Sequence, residues 1–226
     1  MAQIGLRYPV AAPIVTYNSD GMPIYGDGFY IGRIIKADKT YDKNDASLFA
    51  DDGRAEYDAG VTAVNLSIEM DGIGTHVSAF GETPIKVEAT LLGATYDKSS
   101  SGANGEIEQM TTSADDVPPY FGVGYYKTDV INGKKHFFVY LIYKMAFSKP
   151  DDSDSTKGEK TSFGTKTING TGMSIDGSDV APKRYFEKKL AFQTEAAAIA
   201  FLKKTLNLSD TADSSGTTDS TETSTN

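Results

Sequence analysis

The feature that most constrains this fold is a pair of apolar segments joined by Asn132-Gly133. Residues 121–131 lead into this dipeptide, and residues 134–147 return from it. Asn-Gly favours a two-residue type I′ turn, since both turn positions take a positive φ, so the pattern predicts a β-hairpin. The returning segment, HFFVYLIYKMAF, is apolar at successive positions. We therefore expect it to lie centrally in a sheet, with both faces covered.

Further strands are predicted from apolar residues elsewhere in the chain. In residues 61–70, one face carries Thr62, Val64, Leu66, Ile68 and Met70, which we expect to face a core. Other runs predict strands in residues 28–41, 157–168 and 185–192, with a second turn at Asn169-Gly170. The sequence thus favours a mainly β fold (α+β) with one or two flanking helices.

The first predicted helix is marked by residues that begin and end it. Thr83 can cap a helix whose first residue is Pro84, and Gly93 follows its last residue. We expect one face to be buried, formed by Ile85, Ala89 and Leu92 with Val87 and Leu91 beside it.

The second predicted helix begins at Thr194. Glu195 lies near its positive end, and Lys203 and Lys204 suit its C-terminal end. We expect its buried stripe to consist of Ile199, Leu202 and Leu206.

Two segments, residues 42–60 and 97–119, are rich in Asp, Ser and Gly, and we expect both to be long loops. Loops of this length inside a compact domain are often functional. Apolar residues in such segments either fold back on the domain or dock on a neighbouring chain, and the pattern leaves both options open. The candidates are Leu48, Phe49 and Tyr57 in the first loop, and Tyr8 and Pro9 in an extended N-terminal segment, residues 1–15.

Residues 209–226 are predicted to be a disordered tail. Eleven of these 18 residues are Ser or Thr, four are acidic, and none is large and apolar. Such a segment cannot bury enough surface to offset the entropy lost on ordering. The predicted folded domain is therefore residues 1–208, with an N-terminal arm at 1–15 and the long loop at 42–60.

The charge and the missing residue types exclude several functions. Lys plus Arg number 22 and Asp plus Glu number 31, a net charge of −9, which argues against binding nucleic acid by neutralising phosphates. The absence of cysteine excludes Cys nucleophiles and thiolate metal sites. Two histidines, His76 and His136, leave little for His-based chemistry. We expect no signal peptide and no membrane span.

Paired carboxylates are the remaining catalytic candidates. Asp51-Asp52, Asp115-Asp116 and Asp151-Asp152 lie in stretches that favour solvated loops over the aromatic cleft of a glycosidase. Asp152, Asp154 and Thr156 have alternate spacing, but Gly158 falls one position late for a calcium loop. We therefore expect no catalytic, cofactor-binding or metal-binding residues.

Several segments resemble, in order and spacing, the major tail proteins of siphophages, the tail-tube subunits common in phages of Gram-positive bacteria. The segments are GLRYPVAAPI, IGRIIKADKTYDKNDASLFADDGRAEYD, PIKVEATLLGATYD, YFGVGYYKTDVINGKKHFFVYLIYKMAFSKP, TKGEKTSFGTKTING and FQTEAAAIAFL. The resemblance covers residues 1–208 and includes no catalytic motif.

The resemblance implies a tail-tube-like β-sandwich or barrel and a structural, non-enzymatic role in the virion. In that family, six subunits form a ring, and rings stack into a tube around the tape-measure protein. DNA passes through the channel during ejection without specific binding, and an acidic channel would repel its phosphates. Tail terminator and distal tail proteins are further implied partners. The implied location is the virion tail, after synthesis in the host cytoplasm.

The resemblance also implies that the long loop and the N-terminal arm contact neighbouring subunits. It assigns this self-association to Tyr8, Pro9, Leu48, Phe49 and Tyr57. Edge strands of neighbouring subunits that pair with each other would build a continuous inner wall.

Two other classes remain open. One is a non-viral, self-associating binding module, such as an adhesin-like or type VI secretion tube-like protein. The other is a carbohydrate-active enzyme, which would need two close carboxylates in a cleft. A mainly β domain is common to all of these classes, so the fold alone does not decide between them.

Overall fold

The computed structural model describes residues 2–50, 53–75, 82–101, 105–150, 164–176 and 184–209. Its longest strands are β1 (Ala2–Tyr17), β4 (Ile34–Ala50), β5 (Gly53–Met70), β8 (Phe121–Ile131) and β9 (Lys134–Ser148). The shorter strands are β2 (Pro23–Tyr25), β3 (Phe29–Tyr30), β6 (Thr95–Ser101), β7 (Gly105–Thr111), β10 (Lys166–Gly172), β11 (Ile175–Asp176), β12 (Arg184–Tyr185) and β13 (Glu187–Phe192). The helices are α1 (Pro84–Leu92) and α2 (Glu195–Thr205).

Most of these strands form one antiparallel sheet, and the prediction of a mainly β fold is confirmed. Its order is β2-β1-β8-β9-β10-β5-β4, with β3 added to β1 and β13 added to β9. The sheet curls, because β4 at the end of this order lies against β1. Two separate hairpin-like pairs, β6 with β7 and β11 with β12, complete the described strands.

The β8–β9 hairpin has the predicted turn and the predicted central position. Asn132 has a φ of 52° and Gly133 a φ of 76°, as a type I′ turn requires. β9 pairs with β8 along one edge, and with β13 and then β10 along the other. β9 of this hairpin therefore lies in the interior of the sheet, with strands paired along both of its edges.

Both faces of β9 are covered, as its apolar sequence predicts. On one face, Ile142 and Met145 pack in a core with buried residues of β5, β8 and α1. On the other face, Val139 and Leu141 pack beneath α2. In the predicted core face of residues 61–70, Val64, Leu66, Ile68 and Met70 are buried, whereas Thr62 is exposed.

The first helix begins and ends as predicted. The side chain of Thr83 accepts a hydrogen bond from the Lys86 backbone N–H, and Gly93 has a φ of 70° in the left-handed region. Val87, Ala89, Leu91 and Leu92 are buried, but Ile85 is 37% exposed, so the prediction for Ile85 was wrong.

The second helix also begins as predicted. The Thr194 side chain accepts a hydrogen bond from the Ala197 backbone N–H. Leu202 and Leu206 are fully buried, and Ala198 is buried with them. Ile199 is only half-buried, because it lies at the margin of the face that packs on the sheet.

The prediction of two long loops was wrong. Residues 42–50 and 53–60 continue β4 and β5 as a paired ribbon, and residues 95–101 and 105–111 form the β6–β7 hairpin. Asp, Ser and Gly lower the intrinsic β propensity of these segments. In the first segment, backbone pairing that starts between buried strands continues outward from Val64, so the ladder overrides local propensity.

Asn169-Gly170 is not a turn, which corrects a further prediction. Both residues lie within β10 and pair with β5 and β9. A Cβ atom at residue 170 would stand 2.6 Å from the Met145 sulfur. Glycine there leaves room for the Met145 side chain of the neighbouring strand and does not serve a positive φ. Of the predicted strand 157–168, residues 157–163 lie outside the described residues.

Candidate assembly surface

The outer half of the β4–β5 hairpin extends past the rest of the sheet. β10 pairs with β5 from Val64 to Met70, and no strand pairs with β5 beyond Val64 except β4 in the described part of the chain. Residues 53–63 thus belong to a two-stranded ribbon about 35 Å long at the usual rise per residue. A two-stranded ribbon is marginally stable alone in water, so this length favours docking on another surface.

β4 also offers a free backbone edge. Among the described residues, β4 pairs with β5 alone, so the N–H and C=O groups on its other side are not part of a ladder. Such an edge is a template for pairing with another chain. β-bulges at Ile34/Lys36, Asp42/Lys43 and Leu48/Phe49 interrupt its register.

The outer face of β4, β5 and β10 is polar. Its side chains carry hydroxyl, amide and charged groups: Lys36, Asp38 and Thr40 on β4, Asn65, Ser67 and Glu69 on β5, and Thr167, Asn169 and Thr171 on β10. The Thr171 hydroxyl donates a hydrogen bond of 3.2 Å to the Asn65 side-chain oxygen. The charges of Lys36 and Asp38 cancel because the two side chains form an ion pair. Of the charged residues named here, the Glu69 carboxylate then remains and gives the face a negative charge.

A charged cluster holds the base of the ribbon against β13. The Lys39 ammonium donates to the Glu187 carboxylate, and the Tyr41 hydroxyl donates to the same carboxylate at 2.6 Å. Lys39 Nζ also lies 4.7 Å from the centroid of the Tyr140 ring. The side chains of Lys39 and Glu187 are 14% and 22% exposed, so the pair is largely shielded from solvent.

The pKa values of this cluster show how the charges are balanced. Burial alone would lower the pKa of Lys39, but its hydrogen bonds to Glu187 and Tyr41 outweigh burial and raise it. Burial, followed by the hydrogen bond to Glu187, raises the pKa of Tyr41. The cluster therefore keeps Lys39 charged and Tyr41 neutral, and it fixes the point where the ribbon leaves the sheet.

The structure places the predicted self-association residues in two different settings. Tyr8 and Pro9 lie within β1, where Tyr8 has a φ of 61° and its ring lies 5.8 Å from that of Tyr30. The neighbouring Val10 is fully buried, so this part of the N-terminal segment folds back on its own domain. The self-association of Tyr8 and Pro9 stays a prediction.

Leu48, Phe49 and Tyr57 have their backbones in the outer ribbon. Leu48 is paired with Glu56, and Ser47 with Tyr57. The side chains of the three residues lie outside the described part of the structure. The sequence predicts that the three residues lie in one loop, whereas the structure places them on two paired strands. Residues 42–60 lack the alternation of apolar and polar residues that would have predicted these strands.

The catalytic candidates show no catalytic arrangement in the described residues. His136 lies on β9 and its ring is 6.5 Å from that of Phe138. Asp116 accepts a hydrogen bond from the Ser113 backbone N–H at 2.7 Å, which makes it a turn residue. Within these residues, no three His, Cys, Asp or Glu side chains are grouped as metal ligands. His76, Asp51-Asp52 and residues 151–158 lie outside them.

An open groove of about 870 Å³ runs along the outer face of α2. Ala196, Ile199 and Ala200 line it, together with Lys203. Among the described residues that line it, Glu195 is the one acidic residue, whereas glycoside hydrolysis uses two carboxylates. No helix of the described residues is long and apolar enough to cross a membrane.

No protein-family model matches the chain, and a search of curated proteins finds no match. The resemblance to siphophage tail-tube proteins therefore remains an expectation.

Proposed function

We propose that this protein is a structural subunit that self-assembles into rings, which stack into a tube of the phage tail-tube kind. Its role is to form a conduit, and that role needs no catalysis or cofactor. The observation that carries the proposal is the outer half of the β4–β5 hairpin, a ribbon of about 35 Å that is paired only with itself in the described residues. In this proposal the ribbon docks on neighbouring subunits.

The free edge of β4 supports the same proposal. A ring is closed by two different patches on each subunit, which meet head to tail. The unpaired edge of β4 is one such patch, because it can add to a strand of the neighbouring copy. Six copies joined in this way would give the hexameric ring that the resemblance implies.

We assign the channel wall to the polar outer face of β4, β5 and β10. It carries hydroxyl and amide groups, with the Glu69 carboxylate and the Lys36–Asp38 pair among them. Lys36 is the one lysine among the side chains named for this face, and its pairing with Asp38 weakens its attraction for DNA phosphates, so DNA could slide past such a wall. The tape-measure protein would occupy this channel before ejection, and terminator and distal tail proteins would bind the tube ends.

Electron microscopy with light scattering over a concentration series tests the proposal. Rings or tubes with an open channel are the expected result, and a strictly monomeric protein at every concentration would contradict it. Phe49→Asp places a charge in the ribbon and should leave rings intact while it blocks their stacking. The matched control is Ile107→Asp on the β6–β7 hairpin, where Ile107 is 43% exposed. Normal tubes from Phe49→Asp would contradict the assignment of the ribbon to stacking.

A further inference from the structure

The sequence Ile-Asn-Gly occurs twice in this chain, and the fold holds the two copies in opposite ways. The copies are residues 131–133, at the turn of the β8–β9 hairpin, and residues 168–170, inside β10. A third Asn-Gly lies at residues 104–105, where Asn104 is outside the described residues. Because the first two copies are identical in sequence, a difference in their chemistry would come from the fold.

An asparagine that precedes glycine can convert itself to an acid. The backbone nitrogen of the glycine attacks the side-chain carbonyl carbon of the asparagine, forms a carbon–nitrogen bond and expels ammonia. The product is a cyclic imide, and water then opens either of its two carbon–nitrogen bonds. One opening gives aspartate, and the other gives isoaspartate, in which the backbone runs through the former side chain. The reaction consumes water and releases ammonia, so it needs no oxidant or other reagent.

The Asn132-Gly133 turn leaves the attacking nitrogen free. Both residues are exposed, and the last ladder pair before the turn joins Ile131 to Lys134. Among the hydrogen bonds of turns and loops in the described residues, none is donated by the Gly133 N–H. A Cβ atom at residue 133 would meet nothing within 4 Å, so the turn has open space around it.

The attack requires this turn to open, because the nitrogen must come within bonding reach of the side-chain carbon. Opening breaks the end of one two-stranded ladder. The residues that follow the turn, Lys134 and Lys135, are exposed, so their movement uncovers no buried side chain. Local opening of this kind has a low free-energy cost.

The second copy is closed to the same attack, although the Asn169 side chain is itself exposed. Gly170 is buried and pairs with Leu66 of β5 on one side and with Phe147 of β9 on the other. The Asn169 carbonyl also accepts a hydrogen bond of 3.1 Å from the Ser148 hydroxyl. Movement of the Gly170 nitrogen toward the Asn169 side chain therefore requires β10 to separate from a neighbouring strand inside the sheet.

We propose that Asn132 is a self-modification site, at which the folded protein deamidates in water while Asn169 stays intact. The conversion adds one negative charge per subunit at the end of the β8–β9 hairpin, next to Lys134. Isoaspartate also adds a carbon atom to the backbone, which a two-residue turn between paired strands does not accommodate. The proposal concerns a single subunit and is independent of whether the protein assembles.

Peptide mapping of the full-length chain aged in ¹⁸O water tests the proposal. Each deamidation takes up heavy oxygen from the water, so the label excludes modification that preceded the experiment. In the folded protein, the peptide with Asn132 should acquire the label at least about a hundredfold faster than the peptide with Asn169, because opening β10 costs more than opening a turn. Similar rates at the two positions in the folded protein would overturn the proposal.

The same ageing in denaturant is the matched control, since it removes the fold and keeps the sequence. Asn132 and Asn169 should then deamidate at similar rates, because each lies between isoleucine and glycine. A difference that persisted unchanged in denaturant would assign the rates to more distant sequence and would overturn the role of the fold.

The Asn132→Asp variant separates the added charge from the altered backbone. Asp-Gly also favours a type I′ turn, so this variant should keep the urea midpoint of fresh wild-type protein. Aged wild-type protein that contains isoaspartate at position 132 should have a lower midpoint, because its turn no longer matches the paired strands. Equal midpoints of the aged protein and the variant would overturn the inference that the modification disrupts the turn.

Discussion

The Tyr126 hydroxyl donates a hydrogen bond to the Glu195 carboxylate and so joins the middle of β8 to the first turn of α2. The same carboxylate lies 3.4 Å from Arg7 Nη1 of β1. Burial, followed by the hydrogen bond to Glu195, raises the pKa of Tyr126 above its ordinary value. Glu195 also suits the positive end of the helix. One carboxylate therefore fixes the position of α2 on two strands of the sheet.

Tyr126→Phe should lower the free energy of unfolding by about 1 kcal/mol. The substitution keeps the ring, which is buried, and removes the hydroxyl that Glu195 accepts from. Because Glu195 is partly exposed, water and Arg7 would donate hydrogen bonds to its carboxylate in place of the lost hydroxyl, which keeps the loss small. Urea denaturation measures the change. Tyr120→Phe is the control, since Tyr120 is 40% exposed, and equal losses in both variants would contradict the structural role of this hydrogen bond.

Gly28 provides a test of the packing between α2 and the segment before β3. The Gly28 N–H donates a hydrogen bond of 3.1 Å to the Asn207 carbonyl, and a Cβ atom at residue 28 would collide with the Leu206 carbonyl oxygen. Gly28→Ala should therefore lower the free energy of unfolding by roughly 1 to 3 kcal/mol, because backbone must move. Gly5→Ala is the control, with nothing within 4 Å of its Cβ position. Thermal unfolding of both variants checks the difference, and equal stability of the two would contradict the close approach.

The sequence predicts the centre of this fold better than its periphery. The β8–β9 hairpin, the alternation of Val64 to Met70 and the caps at Thr83 and Thr194 are local signals, and the structure confirms them. Asn169-Gly170 has the same local signal as Asn132-Gly133 but lies in a strand. The difference is that Gly170 pairs with Leu66 of β5 and with Phe147 of β9. A contact between distant segments cannot be read from a dipeptide.

The candidate assembly surface depends even more on non-local pairing. Residues 42–60 lack the alternation that marks a half-buried strand, and they pair because the ladder continues from buried residues of β5. In the cluster of Lys39, Tyr41 and Glu187, the hydrogen bonds join residues that are 148 and 146 positions apart in the chain. Composition indicated that this segment was unusual. The ladder and the cluster determine that it is a ribbon with a fixed base.

Alkaline titration tests the environment of a group of rings among the 13 tyrosines. Burial raises the pKa values of six of them: Tyr25, Tyr30, Tyr41, Tyr125, Tyr126 and Tyr143. A tyrosine whose pKa is higher in the folded state binds its proton more tightly there than in the unfolded chain. The stability it contributes is therefore present below about pH 10 and is lost as the pH rises above that value.

Ultraviolet absorbance of tyrosinate measures this titration. The six tyrosines with raised pKa values should ionise above the ordinary tyrosine value, and circular dichroism should report unfolding as they do so. The control is the same titration in denaturant, where all tyrosines should ionise together. Ionisation of all 13 near pH 10 in a still folded protein would contradict the burial of these rings.

Hydrogen exchange should divide β5 at Val64. Residues 64–70 pair with both β4 and β10, whereas residues 53–63 pair with β4 alone in the described chain. Local opening of the outer ribbon breaks one ladder and exposes little buried surface, so its amides should exchange at least about a hundredfold faster in the monomer. Assembly should then slow exchange in residues 42–63 and leave residues 64–70 unchanged, because the ribbon gains a partner whereas residues 64–70 already pair with strands on both sides. The β6–β7 hairpin is the internal control, since it is also a two-stranded ribbon. If assembly slowed exchange equally in both hairpins, or in neither, the ribbon would not be the docking element.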